Sequence, residues 1–139
     1  LEFALKQAHR DNQQLALLYI DLNKFKMIND TLGHEVGDRV LVEFSKRLKS
    51  STRESDTVGR IGGDEFTLLL VNIHSQSDVE LVIAKLNDSF EKPMQIGGHN
   101  ITLSASIGFA IYPQDGRKRE HLASSADANM YKQKKSRLL

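Results

Sequence analysis

Thr57-Val58-Gly59-Arg60-Ile61-Gly62-Gly63-Asp64-Glu65-Phe66-Thr67-Leu68-Leu69-Leu70-Val71 decides the fold. Two runs rich in apolar and β-branched residues, Thr57 to Ile61 and Phe66 to Val71, flank Gly-Gly-Asp-Glu, which predicts a β-hairpin with a four-residue connection. Asp64 and Glu65 are adjacent like charges at its tip, an unfavourable pairing unless water or a cation screens it. Gly62 and Gly63 either supply positive φ or leave room for a bulky anion to approach the backbone. A solvated acidic turn is the competing reading.

Toward the N-terminus, Leu15-Ala16-Leu17-Leu18-Tyr19-Ile20 is continuously apolar, as a buried central strand is, and it stops at Asp21. Active-site side chains commonly emerge at such strand ends, and Asp also suits the N-cap of a following helix. If this strand lies beside the hairpin, Asp21, Asp64 and Glu65 converge. Carboxylates without His or Cys are hard oxygen donors that suit magnesium. His9, His34, His74, His99 and His121 show no paired ligand spacing, which argues against zinc.

Residues 1 to 11 read as a helix remnant, and a short helix is expected from Phe25 to Asp30. Gly33 and Gly37 bracket an expected turn, after which Val36, Val40, Leu41, Phe44 and Leu48 mark an amphipathic helix to about Ser50. Beyond the hairpin, Ser77 and Glu80 form a capping-box signature for a helix to Glu91, stopped by Pro93. Gly97-Gly98 predicts a second hairpin, between Met94-Gln95-Ile96 and Asn100 to Tyr112. Leu122, Ala126 and Met130 share one face of a last helix, Arg119 to Lys135. Strand, helices, hairpin, helix, hairpin, helix predicts an α/β domain of the α+β type, a largely antiparallel central sheet flanked by helices and related to the split βαβ plan.

The 139 residues, 40% hydrophobic and 27% charged, fit one ordinary folded domain spanning 1–139. A formal net charge of +1 supplies no global field for nucleic acid, and no cysteine exists for a disulfide or thiolate site. No apolar run approaches the roughly 18 residues of a membrane helix and no signal peptide opens the chain, so a cytoplasmic domain without direct membrane contact is expected. The chain opens on Leu1 inside a helical pattern and is read as an N-terminally truncated fragment, with any membrane anchor outside it. Walker-type, dinucleotide-binding, nucleophile-elbow and kinase signatures are all missing.

The motifs together resemble the GGDEF family, the diguanylate cyclases of bacterial signalling. Asp21-Leu22-Asn23-Lys24-Phe25-Lys26-Met27-Ile28-Asn29-Asp30 is similar to the family's Asp-x-Asp-x-Phe-Lys-x-x-Asn-Asp stretch, and Gly33 to Asp38 and Arg60 to Phe66 follow in the family's order. Ser104 to Ala110 and Ala126 to Lys132 resemble its Ser-x-Gly and Ala-Asp-x-x-Met-Tyr segments. The resemblance implies a nucleotidyl-cyclase fold akin to polymerase palm domains. It also implies condensation of two GTP into cyclic di-GMP by a homodimer, each 3′-hydroxyl attacking the partner's α-phosphate and releasing pyrophosphate.

By that resemblance Asp21, the backbone carbonyl of Leu22 and Asp64 hold magnesium, with manganese an alternative, and Glu65 is a further ligand or helper. Asp64 is the candidate proton acceptor. Asn29 and Asp38 read the guanine edge, with His34 in the same pocket unless it serves only the turn. Lys26, Lys134 and Arg137 face the phosphates, although the last two also suit a basic helix C-terminus. Arg53-Glu54-Ser55-Asp56 resembles the family's Arg-x-x-Asp product-inhibition site, where Arg53 and Asp56 grip cyclic di-GMP; a surface ion pair is the competing reading. Three features depart from the family: Asn23 stands for the second Asp, the opening Asp-x-Leu-Thr-Gly-Leu-x-Asn-Arg is missing, and Lys134 to Leu139 lacks the usual Gly-Arg-Asn. A receptor that binds GTP or cyclic di-GMP without turnover is the alternative function. A template-dependent polymerase fragment lacks the length and basic groove it needs.

Overall fold

Side chains along β1 (Gln14–Leu22) alternate between two cores, because successive Cβ atoms leave opposite faces of a strand. Ala16, Leu18, Ile20 and Leu22 enter one core, whereas Leu15 and Leu17 enter the other with Tyr19 at its margin. Asp21 continues the second series. The structure, a computed structural model, describes residues 1–138 and the side chains of residues 1–136.

β1 is central. It pairs antiparallel with β3 (Glu65–Ile73) on one side and β6 (Ala105–Tyr112) on the other, and β2 (Thr57–Gly62) extends the sheet beyond β3. The order β2-β3-β1-β6, antiparallel throughout, is the expected α+β sheet of the split βαβ plan. A strand buried on both faces loses the polar alternation of an edge strand, which explains the unbroken apolar run in β1.

The larger core lies under α3 (His34–Ser50) and α4 (Gln76–Glu91), with Phe25 of α2 (Phe25–Leu32) at its edge. Phe44 stacks 5.1 Å from Phe66 and 4.5 Å from Phe90, centroid to centroid. All three rings are fully buried, each contributing roughly 1.5–3 kcal/mol. The second core lies under α1 (Glu2–Asp11), through Leu5 and Ala8, and α5 (Arg119–Leu138), through Leu122 and Ala126. Helix α5 rests directly on β6: a Cβ at Gly108 would stand 1.9 Å from the Met130 amide nitrogen. Asn129 Nδ2 donates to the Phe109 carbonyl at 3.0 Å and pins the same contact.

Four local expectations are corrected. The hairpin turns on two residues, Gly63 and Asp64, so Glu65 opens β3 and an irregularity in β2 between Arg60 and Gly62 absorbs the difference. Gly37 lies within α3, which begins at His34, because the Asn29 side chain occupies the space a Cβ would need. Helix α4 starts without the Ser77 box: Asp78 accepts from the His74 amide at 2.8 Å, and Glu80 pairs with Gln76. Asn100 to Tyr112 is two strands: β5 (His99–Ile101) pairs only with β4 (Met94–Ile96), and residues 102–104 cross to β6 in the main sheet.

Candidate active site

The register of the three central strands brings their ends together. Asp21 stands opposite Glu65 of β3 and, on its other flank, opposite Ser106 of β6. Like charges directly opposed across a ladder destabilise it, so this row calls for a cation. Asp21 is only 5% exposed. Lys134 of α5 donates to its Oδ2 at 2.6 Å, while its Oδ1 is buried without a partner.

Burial pushes the Asp21 carboxyl above its ordinary value of 3.8. The Lys134 hydrogen bond opposes this shift, the Asp64 charge adds to it, the Lys134 charge opposes it and the Glu65 charge adds to it; burial and the neighbouring carboxylates prevail. Tyr19, two residues earlier on the same face, has its hydroxyl raised above 10.0 by burial, then by Asp127 and Glu65, with Arg119 opposing.

The tip is held from both sides. The Leu22 amide donates to the Asp64 carbonyl at 3.1 Å, and Arg60 donates through Nε and Nη2 to the Gly63 carbonyl at 3.1 and 2.8 Å. The Arg60 guanidinium also lies 5.9 Å from the centre of the Phe66 ring, a cation–π contact. Neither Gly62 nor Gly63 takes a left-handed φ, and a Cβ at either would meet open space. Of the two readings of these glycines, room for an approaching ligand is therefore the one the geometry supports. Asp64 is half-buried and Glu65 exposed. Among the described residues no three His, Asp or Glu side chains are gathered closely enough to hold a metal.

Asn23 is fastened behind this row. Its amide donates to Ser104 Oγ at 3.0 Å and accepts from Ser106 Oγ at 2.8 Å, while its backbone N–H donates to the Ser104 carbonyl at 2.9 Å. An amide both donates and accepts, which suits this position between two serines. Lys24, the N-cap of α2, takes a left-handed φ of 61° that turns the chain out of β1. Lys26 and His34 are exposed, and neither forms an ion pair among the described residues.

Asn29 packs against Gly37, the residue that precedes Asp38 in α3. A Cβ at Gly37 would lie 1.7 Å from Asn29 Oδ1, a buried acceptor without a partner. Asp38 is exposed and lines a cleft of about 550 Å³ between α3 and β2, with Leu41, Val42, Arg60 and Phe66.

Arg53 and Asp56 form a closed turn at the far end of β2. The Arg53 amide and guanidinium both donate to the Asp56 carboxylate, at 3.0 to 3.3 Å. Asp56 also accepts from the Val71 amide at 3.4 Å, and Arg53 donates to the Val71 carbonyl, so the pair extends the ladder of β3 beyond β2. The Arg137 side chain falls outside the described residues. The sequence reading assigned no role to Arg60, Ser104, Ser106 or Asn129. Only the Arg before the two glycines carried a local signal, since the other contacts join residues far apart in the chain.

The family model described as diguanylate cyclase, GGDEF domain, matches residues 1–138. The bifunctional diguanylate cyclase/cyclic di-GMP phosphodiesterase MucR of Pseudomonas aeruginosa is 44% identical over 131 residues, 94% of this chain and 19% of its own length. The diguanylate cyclase TpbB of the same species is 40% identical over 132 residues, 94% of this chain and 30% of its length. The chain thus spans under a third of these relatives. A crystal structure of the TpbB (YfiN) GGDEF domain superposes with a TM-score of 0.95 at 39% identity, covering 98% of this chain and 85% of that one. With its sheet order, hairpin tip and carboxylate row, this chain belongs to the GGDEF domain family.

Proposed function

We propose that the domain condenses two GTP molecules into cyclic di-GMP, working between two copies of itself. The observation that carries this reading is Asp21: a buried carboxylate with one oxygen unpartnered, set at a strand end beside the open acidic tip. The orphaned oxygen and the all-oxygen donor set fit magnesium or manganese. Asp21, the Leu22 carbonyl and Asp64 would hold the ion, with Glu65 beside them. Bound there, it would acidify the attacking hydroxyl and stabilise the leaving oxygen.

Asp64 accepts the proton of a GTP 3′-hydroxyl as that oxygen bonds to the α-phosphorus of the GTP on the facing copy. The bond from that phosphorus to the β-phosphate oxygen breaks and pyrophosphate leaves; the same exchange in the opposite sense closes the ring. Asn29 supplies an unpaired acceptor, and Asp38 a carboxylate, for the N1 and N2 donors that distinguish guanine from adenine. His34 borders this subsite. Lys26, Lys134 and Arg137 serve the phosphates. Arg53 and Asp56 bind cyclic di-GMP and restrain turnover once their mutual ion pair opens toward it.

A receptor that binds GTP or cyclic di-GMP without turnover is the second reading, favoured by the Lys134 ammonium that already occupies Asp21. Pyrophosphate release from GTP and magnesium decides between them. The cyclase releases pyrophosphate continuously, and Asp64→Asn lowers that rate at least about a hundredfold, the usual range for a lost proton acceptor. A folded, dimerised protein that binds GTP and releases none is the receptor.

A further inference from the structure

Lys134 sits where the carboxylate row calls for positive charge. Its Nζ is 2.6 Å from Asp21 Oδ2, and its side chain is one-third exposed against 7% for Asp21. Asp64 and Glu65 both act on Asp21 as like charges, and Lys134 is its ion-pair partner among the described residues. The helix carrying Lys134 is fixed against β6 at Gly108 and by the Asn129 hydrogen bond, so movement at this position belongs to the side chain. An ammonium on a flexible four-carbon stem, with three rotatable donors, can exchange one anion for another.

We propose that Lys134 is the resident counter-ion of the metal site. In the nucleotide-free protein its ammonium neutralises Asp21; when a divalent cation takes that carboxylate, Lys134 moves to the triphosphate. The step is an exchange, because withdrawing the ammonium leaves the buried Asp21 carboxylate uncompensated, which is unfavourable. Lys134 therefore leaves only as another cation enters, and metal and nucleotide bind together more readily than either alone. This inference rests on the reading that Asp21 is a metal ligand.

The test is manganese binding to the nucleotide-free 139-residue chain, followed by the electron paramagnetic resonance of the free ion at mildly alkaline pH. Lys134→Met removes the competing charge and should tighten binding about tenfold, the scale of one lost charge-assisted hydrogen bond. Lys134→Gln should do the same, and Lys134→Arg, which keeps the charge, should bind as weakly as the native chain. Adding Asp21→Asn to Lys134→Met should abolish the gain. A non-hydrolysable GTP analogue should strengthen manganese binding less in Lys134→Met than in the native chain. Equal, weaker or undetectable binding in both Lys134→Met and Lys134→Gln overturns the proposal. If the native chain makes cyclic di-GMP and those affinities do not rise, the exchange is wrong and the cyclase reading stands. Tighter binding in the variants with no product from the dimerised native chain is the converse.

Discussion

Asp21 shows how one carboxylate is held in an unfavourable state. Its burial and its acidic neighbours outweigh Lys134, so its folded-state pKa lies above the unfolded value. A carboxyl raised in this way favours folding fully when protonated, below its ordinary 3.8, and that contribution is lost as pH rises through its folded pKa. At neutral pH the ionised group is therefore a cost to the fold. Asp21→Asn should raise the melting temperature at neutral pH while eliminating product formation, the trade expected when a site is held ready for a ligand. A scanning calorimeter reads the first effect, and a lowered melting temperature would show that Lys134 outweighs burial. Asp21 was legible in the sequence because an apolar strand ended on it. Lys134 was legible as a basic residue near a helix end and, through the resemblance, as a phosphate contact, but its pairing with Asp21 was not, since that partner lies 113 residues away.

At the scale of elements, two close backbone approaches do what sequence periodicity cannot express. Gly37 reads as a turn residue, yet it is buried in α3, where it admits the Asn29 side chain. Gly37→Ala should displace that flexible amide and weaken GTP binding about tenfold, the scale of one hydrogen bond, with little loss of stability. Isothermal titration calorimetry with GTP measures it, and unchanged affinity would remove Asn29 from the guanine subsite. Gly108 is a harder constraint, because its neighbours are the backbone of α5 at Met130 and Ala126. Gly108→Ala should lift the helix and cost about 3 kcal/mol, the upper range for overpacking, read by urea denaturation. The main hairpin was legible from its two apolar runs and glycines, but its length was not. The two glycines read as part of the connection, whereas Gly62 still pairs with Glu65 across the ladder. The segment from Asn100 to Tyr112 kept its alternation across a change of sheet, so the break at residues 102–104 left no mark in the pattern.

Over the whole molecule, two features at opposite ends of β2 meet on one hairpin: the acidic tip at Gly63-Asp64, and the Arg53–Asp56 turn fastened to Val71. The hairpin of β2 and β3 joins the proposed inhibitory and catalytic sites. Arg53→Ala should weaken cyclic di-GMP binding about tenfold or more, on the scale of a lost bidentate charged contact, and spare the initial rate from GTP. Titration calorimetry with cyclic di-GMP checks the first, and full retention of affinity would leave Arg53 a surface ion pair. The antiparallel sheet was legible from the strand patterns, whereas Asp21 meets the tip only because β1 pairs with β3, an adjacency the sequence reading held as a condition. The closed Arg53–Asp56 pair followed from the fold of the turn, which the four-residue pattern did not specify. One chain carries one tip, one cleft beside Asp38 and one row of carboxylates, half of what the proposed two-nucleotide condensation needs. Cyclic di-GMP synthesis is tested by fusing the chain to a dimerising coiled coil, incubating it with GTP and magnesium, and taking the mass spectrum of the nucleotide product. The native fusion should give the mass of cyclic di-GMP and Asp64→Asn only unreacted GTP; unreacted GTP from a folded, dimeric native fusion would overturn the cyclase reading.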